Sequence, residues 1–379
     1  LAGSYAADFA ALGVFLQFLP AWLSEVQGFG KAEIAVIFSA QTLARTLVGP
    51  LWCQWLDRYG DARRLLTVMA AGSLAVCALF AWALSVTSAW FVAFAFGCLY
   101  PPMHAVLDAT AVRESELHGY SFGRLRAVGS AAFLVAILAV GAWVEHQDAV
   151  DDVYVILLVL LAATTWAARW APRGRWPAPA SPGRPAAWWR LLGSGPVVGV
   201  LLCSALIQGS HATYYQLSTV HWSEHGVSKS VSAALWAEGV LAEVLLLCCA
   251  RRVLDQLRPT TLLLLGGGGA VVRWLVVGAT TSVPVLFAVN WLHALSFAAT
   301  YVGAIRAVER RVPPAQRATA QGVLGAATSG VGMVLCGLCG GCAFEVFGAR
   351  AYYLMAAFAA GGVVVALWLR RAPGAEPLR

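Results

Sequence analysis

Charge is what this sequence has least of. Only 12% of its 379 residues are Asp, Glu, Lys or Arg, about half the usual share of a soluble domain. Lysine is reduced to Lys31 and Lys229, while 60% of the chain is hydrophobic. A soluble globule of this size could not hide so much apolar surface, which leaves a polytopic membrane protein. The net charge of +7 is no nucleic-acid footprint, because the arginines stand in short clusters between apolar runs. A basic stripe interleaved with exposed aromatics is missing, and nucleic acid is excluded as a partner. The nine cysteines fall almost entirely inside apolar runs and read as small buried hydrophobes, not a disulfide framework. A nucleophile–base group facing water is also missing, so the chain does not read as an enzyme. "CGLCGGC" (336–342) has C-x-x-C-x-x-C spacing. Thiols at i, i+3 and i+6 of a helix do not readily converge, however, and no fourth ligand is apparent, so no metal is expected there. Small Cys and Gly residues instead permit close helix packing. "GGGG" (266–269) lacks the Lys-Ser/Thr of a phosphate loop.

What the sequence does have is long apolar runs. A spanning helix needs roughly 20 apolar residues. That ruler finds twelve runs, near 5–25, 33–54, 65–84, 88–110, 124–146, 152–170, 196–222, 231–250, 260–279, 284–306, 319–345 and 350–370. They are too long and too uniformly apolar for the alternating strands of a barrel, so the fold class is all-α. The first run lacks a basic flank and a clear cleavage site, and it reads as a retained span, not a signal peptide.

Basic residues orient the spans. With the N-terminus cytoplasmic, the inside connections hold 21 basic residues and the outside ones three, Lys31, Lys229 and Arg350; Arg45 and Arg273 fall within spans. Both termini are therefore expected in the cytoplasm. The longest polar connection, "RWAPRGRWPAPASPGRPAAWWR" (169–190), is rich in Pro, Gly and Arg, as linkers are. It divides the chain into a six-helix bundle (1–170), a cytoplasmic linker (171–195) and a second six-helix bundle (196–379). Leu56-Asp57 and Leu254-Asp255 lie 198 positions apart in corresponding loops, and the same offset carries Arg45 onto Glu243. Pseudo-symmetric halves around a midplane site are the architecture of secondary transporters.

"CQWLDRYGDARR" (53–64) resembles the loop signature between spans two and three of the major facilitator superfamily, Gly-x-Leu-Ala-Asp-Arg-x-Gly-Arg-Arg-Arg. Asp57, Arg58, Gly60, Arg63 and Arg64 stand in place; Cys53 replaces the first glycine and Asp61 a basic residue. "GYSFGRLRAVGSAAFL" (119–134), "LIQGSHATYY" (206–215), "LWAEGVLAEV" (235–244) and "VVRWLVVGATTSVP" (271–284) are similar to the 3-phenylpropionic acid transporter branch, close to the oligosaccharide:proton symporters. The resemblance implies a twelve-helix proton symporter for a small organic solute, working without a cofactor on the proton gradient.

An ionisable group within a span costs about 2.5–3.5 kcal/mol on insertion scales and is a functional hypothesis by default. Glu243 lies deep in span eight, whereas Glu238, five residues earlier, points about 140° away and nearer the surface. Glu243 is thus the expected proton carrier. Arg273 in span nine is expected near the same depth, as its switchable partner or as a permanent structural one. His293 could relay a proton, or be a neutral packing histidine. Arg45 could grip a solute carboxylate bidentately, or pair with Asp8 or Asp108. His211, Tyr215 and Asp108 are expected to line the solute site, with packing or gating as the rival roles. His104 and Asp108 share a helix face, and Pro101-Pro102 should kink span four. Asp8 departs from the family branch. Asp57, Arg58, Gly60, Arg63 and Arg126 look like a cytoplasmic latch favouring one access state. The expectation is a proton-coupled symporter importing an aromatic carboxylic acid such as a phenylpropionate by alternating access. It would act as a monomer in a bacterial-type inner membrane. An oligosaccharide symporter and a non-transporting membrane sensor are the alternatives.

Overall fold

In a bilayer every backbone N–H and C=O must find its partner inside the chain, and only helices do this within one segment. The computed structural model describes residues 1–371 except 60, 120–121, 173–187, 250 and 314–316; some helical side chains, those of Asp57 and Arg58 included, are outside the described set. Helices dominate, and no strand occurs among the described residues. Ten stretches are long and apolar enough to cross a membrane. One of them, 320–371, holds two helices that reverse at Gly348, and the 17-residue helix Asp152–Ala168 is apolar but shorter. The expected twelve passes are consistent with this set. Leu84, Phe91, Val135, Trp166 and Val346 are all more than half exposed; such an apolar exterior suits lipid, not water.

The chain forms two compact units. The first comprises Leu1–Pro182 and Ser228–Ala233; the second comprises Gly183–Val227 and Ala234–Arg379.

The first unit holds α1 (Ala2–Glu25), α2 (Lys31–Tyr59), α3 (Ala62–Ala78), α4 (Val86–His118), α5 (Phe122–Gln147) and α6 (Asp152–Ala168). α1 packs on α5 and α6, α2 on α4, and α3 on α4 and α6. Asp61 is the N-cap of α3, its carboxylate accepting from the Arg64 N–H at 3.0 Å. That explains its place in the loop signature, since a basic side chain cannot accept that bond. Pro102 within α4 has no N–H for the Cys98 carbonyl one turn earlier; the Trp52 indole donates to that carbonyl instead, at 2.6 Å. α2 and α4 touch at Gly97, where a Cβ would stand 2.4 Å from the Gln41 carbonyl oxygen.

The second unit holds α7 (Gly195–Gly209), α8 (Ala212–Glu224), most of α9 (Lys229–Cys249), α10 (Arg251–Gln256), α11 (Pro259–Ala279), α12 (Val283–Asn290), α13 (Thr300–Glu309), α14 (Arg317–Gly325), α15 (Met333–Phe347) and α16 (Ala351–Arg371). The seventh run is interrupted at Ser210-His211, between α7 and α8. The tenth and eleventh each contain a π-helical stretch, Ala294–Ala299 and Ala326–Gly332. The thiols of "CGLCGGC" do not converge: on α15 Cys336 is buried while Cys339 and Cys342 are exposed.

The four glycines on α11 are not equivalent. A Cβ on Gly266 would stand 1.9 Å from Thr300 Oγ1 and 2.9 Å from the Leu295 carbonyl oxygen, whereas one on Gly268 would meet nothing within 4 Å. Alanine is favoured over glycine in a helix by about 1 kcal/mol, while overpacking costs about 1–3 kcal/mol. Gly268→Ala is therefore expected to hold or raise the unfolding temperature in detergent and Gly266→Ala to lower it, as thermal-shift measurements will show.

Candidate functional site

The second unit buries a cation. Arg273 on α11 is 1% exposed. Its guanidinium lies over the Tyr214 ring at 4.4 Å and the Trp274 ring at 4.7 Å, where the negative ring faces offset part of the lost hydration. Its Nη2 donates to Asn290 Oδ1 at 2.6 Å and its Nη1 to His293 Nδ1 at 2.9 Å. A guanidinium only donates, so His293 Nδ1 must be the acceptor and the ring proton sits on Nε2. That Nε2–H is 3.9 Å from Glu243 Oε2. The result is a chain Arg273–His293–Glu243, with His293 6% exposed and the Glu243 side chain 26% exposed.

The expected direct partnership of Glu243 with Arg273 is thus replaced by one through His293, and helix direction explains why. Consecutive passes run in opposite directions. Glu243 is fourteen residues past the start of α9, but Arg273 is only six from the end of α11. Those two ends lie on the same side, so the groups differ in level by about 12 Å along the normal. His293 begins the π-helical stretch and fills that gap. Glu238 lies apart from this chain. It is partly buried, with one carboxylate oxygen sealed from solvent, and lies within hydrogen-bonding reach of the Trp291 side chain.

His211 is fully buried at the α7–α8 break. Its Nδ1 donates to the Ile207 carbonyl at 3.1 Å, and its Nε2 receives Ser296 Oγ at 3.0 Å. With both ring nitrogens committed, the packing role fits His211 better than the solute-lining one. Tyr215 is partly buried and packs against His211, Trp236 and His293.

Sequence reasoning missed Asn290. It accepts from Arg273, lies 3.5 Å from the Tyr214 hydroxyl and donates its amide N–H to the Leu235 carbonyl. Its signal was a lone amide in an apolar run, one helical turn before His293.

In the first unit Arg45 is partly buried on α2. It is the fifteenth residue of its helix, as Glu243 is of α9. Asp8 and Asp108 take partners other than Arg45. Asp8 is 3.2 Å from His104 Nε2; Asp108 accepts from the Tyr5 hydroxyl at 2.5 Å and lies 3.5 Å from Arg126 Nη1. Arg126 lies 3.5 Å from Asp108 and over the Phe9 ring at 4.8 Å; its expected latch with Asp57 and Arg58 falls on side chains outside the described set. Arg63 donates through Nε to the Ala171 carbonyl, tying the start of α3 to the end of α6. The side chains of Asp57 and Arg58, and Gly60 as a whole, lie outside the described residues.

A family model described as the MFS_1 like family matches residues 1–355. The chain belongs to that family. It is 28% identical over 369 residues to a probable 3-phenylpropionic acid transporter of Escherichia coli (strain K12), covering 94% of this chain and 93% of the relative. It is 26% identical over 358 residues to a maltose permease of Geobacillus stearothermophilus, covering 91% and 87%. Among solved structures, the nucleoside transporter NupG superposes with a TM-score of 0.85 at 16% identity, covering 97% and 96%. A bacterial homologue of the human lysosomal transporter Spinster, inward-facing and unoccupied, gives 0.70 at 13%, covering 98% and 96%. These structures share the fold. The protein is a multi-pass membrane transporter of the major facilitator superfamily, not an enzyme.

Removing an acceptor from a buried charge costs about 1.5–3 kcal/mol. Asn290→Ala is therefore expected to destabilise the second unit by that amount, lowering the denaturation midpoint of the purified protein. His211→Phe should lower it too, yet leave the pH dependence of uptake unchanged.

Proposed function

We propose that this transporter is a proton-coupled symporter importing a small aromatic carboxylic acid, such as a phenylpropionate, by alternating access. The observation that carries the coupling is the Arg273–His293–Glu243 chain. An imidazole between a fixed cation and a carboxylate can exist in two arrangements. With Nε2–H directed at Glu243, the carboxylate is stabilised and releases its proton. When movement draws Glu243 away from His293, the acid in its apolar run favours the neutral form and takes a proton. Arg273 keeps Nδ1 as an acceptor throughout, so the ring always presents the same face to Glu243. The gradient supplies the driving force, and no cofactor has a part.

Arg45 is the group we assign to the solute carboxylate. It is a cation on the second helix of the first unit, and guanidinium binds a carboxylate through two parallel hydrogen bonds. Support for the acid comes from the Escherichia coli relative, named as a probable 3-phenylpropionic acid transporter. Maltose is the second reading, favoured by the Geobacillus permease; a neutral sugar has no carboxylate to require Arg45.

The test is uptake by proteoliposomes under an imposed pH gradient. Glu243→Gln is expected to abolish uphill 3-phenylpropionate uptake while sparing exchange; uphill uptake that persists removes Glu243 from the coupling. Arg45→Lys keeps the charge but loses the bidentate grip, and a weakening of about tenfold, roughly 1.4 kcal/mol, is expected for the acid. Maltose uptake that drives proton entry, with no response to 3-phenylpropionate, decides for the sugar.

A further inference from the structure

The first unit buries an acid where the second buries a cation. Asp8 on α1 is 1% exposed, and no hydrogen bond of regular geometry reaches either of its carboxylate oxygens. Facing it from α4 is His104, with Nε2 3.2 Å from Oδ2. The other ring nitrogen settles the chemistry. His104 Nδ1 is 2.9 Å from the Pro101 carbonyl oxygen. A carbonyl only accepts, so Nδ1 carries a proton. A neutral His104 would then turn the lone pair of Nε2 toward Asp8. Lone pair and carboxylate would repel each other at 3.2 Å, and both are sealed from the water that could separate them.

Among the described residues the neighbouring polar groups are already engaged. The Tyr100 hydroxyl lies within reach of the Asp8 carboxylate, but it has one proton and donates it to the Asp8 backbone carbonyl at 2.7 Å. Tyr5 on α1 donates to Asp108. Arg126 on α5 is paired with Asp108 and stacked on Phe9. α6 brings Ser4 its Ala167 carbonyl, and its ionisable groups, Asp152 and Tyr154, are engaged at the other end with Trp143 and the Ala78 carbonyl. Around the pair stand the rings of Phe9 and Tyr100, both edge-on to His104.

We infer that Asp8 and His104 share one bound proton and form a second proton-binding site, in the first unit. The proton lies on Nε2, giving an imidazolium–carboxylate pair, or on Asp8 Oδ2, giving an acid that donates to a neutral ring. Either way it occupies the 3.2 Å gap. Loss of the proton to water leaves two acceptors facing each other in an apolar pocket, so release requires α1 and α4 to admit water. Proton occupancy is thereby tied to the conformation of this interface. This extends the symport reading to a second proton, and it rests on that reading only for the proton's use in transport.

The test needs no solute. Infrared isotope-difference spectra of the full chain in lipid bilayers, with labelled aspartate and labelled histidine, report the state of each group at neutral pH. A protonated-carboxyl band or an imidazolium band is expected in the wild-type protein, is expected to be lost in Asp8→Asn, and to persist in Glu243→Gln. Wild-type and Asp8→Asn spectra that match in both regions overturn the site. Should Asp8→Asn not fold, His104→Asn serves: it should remove the imidazolium band or, where the wild type shows a protonated carboxyl instead, shift that carboxyl band, and a His104→Asn spectrum that matches the wild type in both regions overturns the site equally. Failure of the Glu243 uptake test leaves these spectra unchanged, so the two outcomes are read separately.

Discussion

A guanidinium sealed from water has to be satisfied where it lies, and the second unit is arranged around that requirement. Arg273 cannot shed its charge, and an isolated ion in such a medium is costly. Two ring faces cover the guanidinium plane, Asn290 and His293 each accept from one Nη, and the buried Nε–H has no acceptor among the described residues. Both of those acceptors are neutral. A carboxylate laid directly on Arg273 would form a buried ion pair that costs about 3–5 kcal/mol when one partner is removed, a lock rather than a switch. An imidazole stands between them, with Nδ1 on Arg273 and Nε2 3.9 Å from Glu243, and in the proposed coupling this leaves Glu243 near the cation without being bound to it.

The helices depart from α geometry where this site needs them to. His211 stands at the α7–α8 break, and His293 opens the Ala294–Ala299 π-helical stretch. Non-helical or π-helical backbone in a span is tolerated only where other groups satisfy it. Here side chains take part: Gln208 donates to the Phe297 carbonyl and Ser210 to the Ile207 carbonyl. Ser210 Oγ in turn accepts from the Trp274 indole, beside Arg273. Gly266 lets α11 approach Thr300 just beyond the π-helical stretch. Local irregularity, close packing and the buried charge therefore support one another.

The fold was legible because its cause is one-dimensional. Twenty apolar residues must span, arginines mark one side, and a loop signature with five matching residues points to the superfamily. The position of Glu243 along its helix was legible for the same reason, being a count along one helix. Partnership was not, because it depends on which helix ends are level. Glu243 and Arg273 are both fifteenth residues, yet antiparallel passes put them about 12 Å apart in level. Arg126 was read from its place at the start of span five, which says nothing of its contact with Asp108 on the neighbouring helix. Asn290 was passed over because an amide carries no charge to flag it, although in an apolar medium its hydrogen bonds matter as much as those of a charged group.

The two units treat histidine in opposite ways. Each sets an imidazole against a carboxylate, and in each Nδ1 is fixed by a third group while Nε2 meets the acid. The third group decides the polarity. At His293 it is a donor, Arg273, so Nδ1 accepts and Nε2 offers Glu243 a proton to lean on. At His104 it is an acceptor, the Pro101 carbonyl, so Nδ1 donates and Nε2 offers Asp8 only a lone pair. The first arrangement favours an ionised acid; the second is unstable until a proton is added. The same side chain thus turns a donor toward one acid and an acceptor toward the other, and the difference lies in one hydrogen bond on the far side of each ring.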